Sequence, residues 1–225
     1  MQQKQYMERF IMQDLIAWKN RKDRKPLILL GARQVGKTYI LKEFGQREFE
    51  NVAYINCDNN AMAKDLFAPD YNIDRILLTI GAITGVNIEA GKTLIIMDEI
   101  QELHRGLASL KYFCENAREY HVAVAGSLLG LALHQGESYP VGKVNTLEMY
   151  PMTFEEFLWA RGFKQRMDLL QHGIWDVVKS LRTLYIQHLR EYYLVGGMPE
   201  AVNKFIETND ANAVREVQEE IIRAY

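Results

Sequence analysis

Eight consecutive residues, Gly31-Ala32-Arg33-Gln34-Val35-Gly36-Lys37-Thr38, carry the pattern G-x-x-x-x-G-K-[ST]. Each fixed position has a chemical task. Gly31 and Gly36 permit the tight backbone turn that brings main-chain N–H groups onto phosphate oxygens. A helix starting near Lys37 would aim the positive end of its dipole at the same charge. Lys37 would reach the β- and γ-phosphates, and the Thr38 hydroxyl would hold magnesium. The expected nucleotide contacts are therefore Gly31, Ala32, Arg33, Gln34, Val35, Gly36, Lys37, Thr38 and, one position on, Tyr39.

A second set follows an apolar run, Leu94-Ile95-Ile96-Met97-Asp98-Glu99. A buried strand here would deliver two carboxylates at its C-terminal end, where α/β folds place ligands. Asp98 is expected to hold magnesium through water, and Glu99 to polarise the attacking water. An acidic helix cap is the simpler alternative for the pair, and the loop upstream argues against it. A third candidate is Ser127, in Ala125-Gly126-Ser127 at the end of another apolar run. It is placed to sense the γ-phosphate or orient water, with a plain N-cap as the alternative. Gln101 either orders water or faces solvent, and Arg33 either folds over the nucleotide or pairs with a surface acid.

The elements that position these residues read as alternating strands and helices. Leu27 to Leu30, Val52 to Asn56, Thr93 to Met97, Val122 to Ala125 and Val144 to Met149 are the expected strands. The apolar runs suit strands buried on both faces of a parallel sheet. Helices are expected over Tyr6 to Lys19, Lys37 to Phe44 ending near Gly45, Asp74 to Ile83, and Leu103 to Glu119. After Pro151 only helices are expected: Thr153 to Ala160, Trp175 to Leu194, Pro199 to Glu207 and Ala211 to Tyr225. The Trp175 to Leu194 face of Val178, Leu181, Leu184 and Leu189 reads as core. A boundary is placed near Gly162 to Asp168.

The net charge of −2 gives no basic excess of the kind an obligate nucleic-acid binder shows. The linker from Lys19 to Lys25 is locally basic and reads first as a solvated loop. No apolar stretch approaches the roughly 20 residues a membrane helix needs. Cys57 and Cys114 form no metal-ligand spacing, the histidines show none either, and a reduced, cytoplasmic protein is expected.

Taken together, residues 31–38, Asp98-Glu99-Ile100-Gln101 and Ala125-Gly126-Ser127 resemble the AAA-type ATPases of bacteria and archaea that carry a nuclease-like C-terminal domain of unknown function. Pro140-Val141-Gly142-Lys143-Val144 is similar to that family's P-x-G-R-V stretch. Tyr150 to Leu158 is similar to its Y-P-L-S-F-x-E-F-L segment, and Gly196-Gly197-Met198-Pro199 to its G-G-x-P turn. Lys143 stands where the family has arginine, which keeps the charge and loses the bidentate fork. Arg105, Arg118 and Arg161 are unranked candidates for an arginine finger.

The resemblance implies a three-layer P-loop NTPase of the additional-strand (ASCE) class, with a five-stranded, mostly parallel sheet and a small, all-helical, lid-like region. It implies a core over residues 1–165 and the lid-like part over 166–225. The last helical pattern runs to Tyr225 without Gly or Pro, as a truncated chain would, so the family's C-terminal domain is expected beyond it. The expected activity is slow magnesium-dependent ATP hydrolysis that moves the lid or that domain. The alternatives are a nucleotide-gated switch acting on a protein partner, a DNA-linked ATPase supported by the basic linker, and a small-molecule kinase, against which the paired carboxylates speak.

Overall fold

The computed structural model describes residues 7–58, 60–67, 69–126 and 140–224. Two compact units emerge. One comprises Ile11–Ala32 and Gly36–Met149; the other comprises Met1–Phe10, Arg33–Val35 and Tyr150–Tyr225, each as far as it is described.

The first unit holds the sheet. Its strands are β1 (Leu27–Leu30), β2 (Asn51–Asn56), β3 (Thr93–Asp98), β4 (His121–Ala125) and β5 (Asn145–Glu148). Neighbours pair in parallel, in the order β2-β3-β4-β1-β5. β3 and β4 are buried along their whole length, which explains the apolar runs Leu94 to Met97 and Val122 to Ala125 within them. At the edge, β5 alternates between half-buried and exposed residues.

The helices of this unit are α1 (Ile11–Lys19), α2 (Lys37–Glu48), α3 (Ile73–Thr84) and α4 (Gly106–Asn116). Ile76 and Ile80 of α3 and Leu110 and Phe113 of α4 share one core with Ile28, Ile95, Met97 and Val122. These strand residues lie on one face because side chains alternate with period two.

Several helix limits differ from the sequence-based expectation, three of them for a clear physical reason. α2 does not stop near Gly45 but continues to Glu48. Gly45 is a contact residue: a Cβ there would lie 2.7 Å from Val52 Cγ2. α4 begins at Gly106, not Leu103, because a short 3-10 turn (Ile100–Glu102) and the left-handed Arg105 intervene. α1 begins at Ile11, not Tyr6, since the Phe10 N–H is taken by Glu156 Oε1 at 2.7 Å. Among the described residues no helix is long and apolar enough to cross a membrane.

His121 opens β4 against an aromatic wall. Its ring lies 6.0 Å from Trp18 and 4.8 Å from Phe49, both near-perpendicular. Its Nδ1 is buried without a hydrogen-bond partner among the described residues. Burial first, then the charges of Arg24 and Lys19, pushes its pKa from 6.5 down to about 4. The unfolded chain therefore binds an extra proton between those values, so stability is full above the ordinary histidine range and falls as pH drops towards 4. The loss is on the order of 2 kcal/mol, or about 4–8 °C in a chain of this size. Thermal melts at pH 7 and pH 4.5 should show this extra drop in the wild type and not in His121→Phe. Equal drops in both would remove the role given to His121.

The second unit is helical: α5 (Phe154–Ala160), α6 (Lys164–Gln171), α7 (Trp175–Ser180), α8 (Arg182–Val195), α9 (Pro199–Thr208) and α10 (Ala211–Arg223). Phe157, Leu158, Val195, Ala201, Val202, Phe205 and Val214 form its core. α5 starts with a full capping box: Thr153 Oγ1 accepts from the Glu156 N–H, and Glu156 Oε2 accepts from the Thr153 N–H. The stretch read as a boundary, Gly162 to Asp168, carries a glycine turn and the start of α6.

The helix expected over Trp175 to Leu194 is two, broken at Leu181. Its expected core face of Val178, Leu181, Leu184 and Leu189 is only half-buried. Tyr185, His188 and Val195 point inward instead. Polar partners explain the first two: Tyr185 donates to Arg166 O at 2.7 Å, and His188 meets Glu191 at 2.9 Å. The double-glycine turn is a close approach of backbones. Gly197 O accepts from the Met152 N–H at 2.6 Å, and a Cβ on Gly197 would overlap the Met152 carbonyl.

Candidate nucleotide and metal site

Register brings the candidate residues to one rim of the sheet. Asn56, Asp98, Ala125 and Leu29 pair across in a single row at the C-terminal ends of β2, β3, β4 and β1. The loop that begins at Gly31 therefore leaves the sheet on the rim where Asp98 ends its strand.

The loop's backbone turns at two glycines. Gly31 has φ 148° and Gly36 φ 97°, values that side chains resist. Gly36 leads into α2, and no side chain of the described residues caps that end, where helix geometry favours an anionic acceptor. Lys37 is buried, and its Nζ donates to Gly31 O at 2.8 Å and Ala32 O at 2.7 Å. Ala32, Arg33, Gln34 and Tyr39 are exposed, whereas Val35 is fully buried.

Thr38, at the second position of α2, donates from Oγ1 to Asp98 Oδ2 at 2.5 Å. Asp98 is itself buried. Tyr54, on β2, donates its hydroxyl to the same oxygen at 3.3 Å. Burial, then the Asp98 carboxylate, pushes the Tyr54 pKa up to about 12, so it stays a neutral donor. The same causes, with Glu99 added, push the Cys57 thiol up to about 12 and leave it unreactive.

Glu99 sits in the left-handed region at φ 53°. Its Oε2 accepts from Gln101 Nε2 at 2.5 Å. Gln101 therefore faces the carboxylate, and its Oε1 is buried without a hydrogen-bond partner among the described residues. Ser127 lies outside the described residues.

Sequence reasoning missed Tyr54 and the Gln101–Glu99 bond. Tyr54 stands two residues before Asn56, the partner of Asp98, and period-two alternation puts it on the Asp98 face once the strands are aligned. That alignment is a tertiary fact.

The other candidate cations have partners within the protein. Lys143 pairs with Glu115 at 2.8 Å. Arg105 Nε donates to Tyr71 Oη at 3.0 Å, Arg118 Nε to Cys114 O at 2.6 Å, and Arg161 pairs with Glu191. Arg33 Nη1 donates to Ala224 O at 3.1 Å. The basic linker is similarly engaged: Lys19 with Glu48, Arg21 with Asp23, Arg24 with Arg118 O, and Lys25 with Gly142 O.

A parallel sheet of this order, a glycine-bounded loop running from β1 into α2, and a carboxylate ending β3 define a P-loop nucleotide-binding protein. Within that class, residues 23–158 match the family described as AAA domain, and the chain belongs to it. It is 28% identical to the uncharacterized protein MJ1637 of Methanocaldococcus jannaschii, over 80% of this chain and 39% of that one. The chain thus spans about two fifths of the length of that curated relative. Among solved structures, the ADP form of Aeropyrum pernix ORC2 is similar in fold at TM-score 0.50 and 16% identity, over 95% of this chain and 70% of that chain. A K64R mutant of Thermotoga maritima RuvB aligns at TM-score 0.41 and 21% identity, over 70% of this chain and 48% of that chain.

Proposed function

We propose that this chain binds ATP in the loop Gly31 to Thr38 and hydrolyses it slowly with the help of magnesium. The observation that carries the reading is the 2.5 Å contact between Thr38 Oγ1 and buried Asp98 Oδ2, one helical step from Lys37. Magnesium is bound by oxygen ligands. A hydroxyl and a carboxylate that already converge are donors of the right kind, so these residues fit the ion. Thr38 would hold it directly and Asp98 through water. When bound, the ion neutralises charge on the β- and γ-phosphate oxygens.

The chain's own groups supply the rest. Phosphate oxygens replace the Gly31 and Ala32 carbonyls as acceptors for the Lys37 ammonium. The Glu99 carboxylate takes a proton from the attacking water as its oxygen bonds to the γ-phosphorus. The bond from that phosphorus to the β,γ-bridging oxygen breaks, leaving ADP and phosphate. Ser127, two residues after β4, is assigned the γ-phosphate contact. The helical region after residue 165 is assigned the moving part.

Gln101 favours a second reading. By holding Glu99 at 2.5 Å it keeps the base engaged, as suits a nucleotide-gated switch with little turnover. Phosphate release with ATP and magnesium, with and without EDTA, tests the first reading. EDTA should reduce the rate at least about a hundredfold, since a metal supplies several kcal/mol of charge stabilisation. A melting temperature raised by ATP without phosphate release selects the switch. No release and no thermal shift would dismiss both.

A further inference from the structure

The proposed cycle leaves a buried ion pair unused. Arg9 is 5% exposed, yet it is a guanidinium. Its Nη1 donates to Val35 O at 3.1 Å, and its Nη2 to Tyr150 O at 2.6 Å. Its Nε lies 3.1 Å from Glu156 Oε1. Glu156 is buried too, and its carboxylate is already bonded to the N–H groups of Phe10, at 2.7 Å, and Thr153, at 2.9 Å. Burying such a pair costs desolvation that an apolar pair of the same volume avoids.

We propose that Arg9 is a positioning residue that aims the phosphate loop through the Val35 carbonyl. The Val35 C=O and the Gly36 N–H belong to one planar, trans peptide and point in opposite directions. Holding the carbonyl outward on Arg9 turns the Gly36 amide inward, towards the position the loop offers to phosphate. The peptide needs such a hold. Gly36, at φ 97°, has no side chain to restrain it, and Gln34 before it is also left-handed at φ 62°. The planar fork matters as much as the charge, because its two Nη atoms bond two carbonyls while the guanidinium stays paired in charge with Glu156; an ammonium is a single point.

The inference rests on the reading that the loop binds ATP. Its test compares wild type, Arg9→Lys and the double variant Arg9→Met with Glu156→Met. The quantities read are the Kd for ATP with magnesium, the KM and kcat for hydrolysis, and the melting temperature. Arg9→Lys keeps the pairing with Glu156 and loses the fork. Its Kd and KM should rise about tenfold while kcat stays within about twofold, the signature of lost uniform binding. The double variant replaces the ion pair with apolar volume. It also removes the acceptor of the Phe10 and Thr153 N–H groups, so it should melt below the wild type; the tenfold weaker binding, read at a temperature where both variants are fully folded, separates aiming the loop from holding the fold together. Wild-type affinity in either folded variant overturns the role of Arg9. A wild type that binds no ATP overturns the nucleotide reading itself.

Discussion

Replacing Lys37 by alanine should raise the Kd for ATP about a hundredfold and reduce hydrolysis about a thousandfold, with little change in melting temperature. The ammonium is buried beneath the loop and held by two main-chain carbonyls at 2.8 and 2.7 Å. A charge so enclosed meets phosphate without first shedding a full water shell, and a charge-assisted hydrogen bond is worth about 1.5–3 kcal/mol. The transition state loses more than the ground state because charge grows on the transferring oxygens; one lost donor of this kind costs about 10²–10³ in rate. Stability should hold, since Gly31 is only half-buried and Ala32 is exposed, so water replaces the missing donor at both carbonyls. Titration calorimetry and phosphate release on the same preparation read both numbers. Tight ATP binding by folded Lys37→Ala would mean the loop does not cradle phosphate.

What the chain disclosed before its structure, and what it withheld, divides along a physical line. Leu27 to Leu30, Leu94 to Met97 and Val122 to Ala125 were legible because a parallel strand buried on both faces must be apolar at every position. The phosphate loop was legible because its geometry is local, written in eight contiguous residues. The order β2-β3-β4-β1-β5 was not legible; the resemblance to a family implied only a mostly parallel sheet of the additional-strand class. Contacts that depend on register or on distant segments stayed hidden. Arg9 meets Val35 across 26 residues and Tyr150 across 141. Tyr54 meets Asp98 only because β2 and β3 align as they do.

Local signals also misled where tertiary packing overrode them. Gly45 looks like a helix stop, yet it lies in the interior of α2 because Val52 and Leu94 leave no room for a Cβ. Helical spacing through Trp175 to Leu194 suggests one long core helix. The break at Leu181 and the polar anchoring of Tyr185 and His188 turn a different face inward. The backbone of Glu99 is a further case: no spacing announces a left-handed glutamate.

That backbone is where the second large effect is expected. Glu99 follows Asp98 at φ 53°, a conformation side chains other than glycine rarely adopt. Its carbonyl accepts from the Glu102 N–H at 3.0 Å, so the 3-10 turn holds the strained residue in place. Such strain persists only where surroundings enforce it, and it collects at functional sites. Here it separates the direction of Glu99 from that of Asp98, although the two are adjacent. Asp98 turns to Thr38, and Glu99 turns to Gln101. In the proposed reading one carboxylate serves the metal and the other the attacking water. Glu99→Gln preserves shape and removes the proton acceptor. Hydrolysis should fall by about 10²–10⁴, the usual contribution of a general base. The Kd for ATP should stay within about twofold, because the phosphate contacts assigned to the loop are untouched. The variant should therefore accumulate bound, uncleaved ATP, which rapid filtration with labelled nucleotide measures directly. If its turnover matches the wild type, water is activated elsewhere and Glu99 serves only to shape the turn after β3.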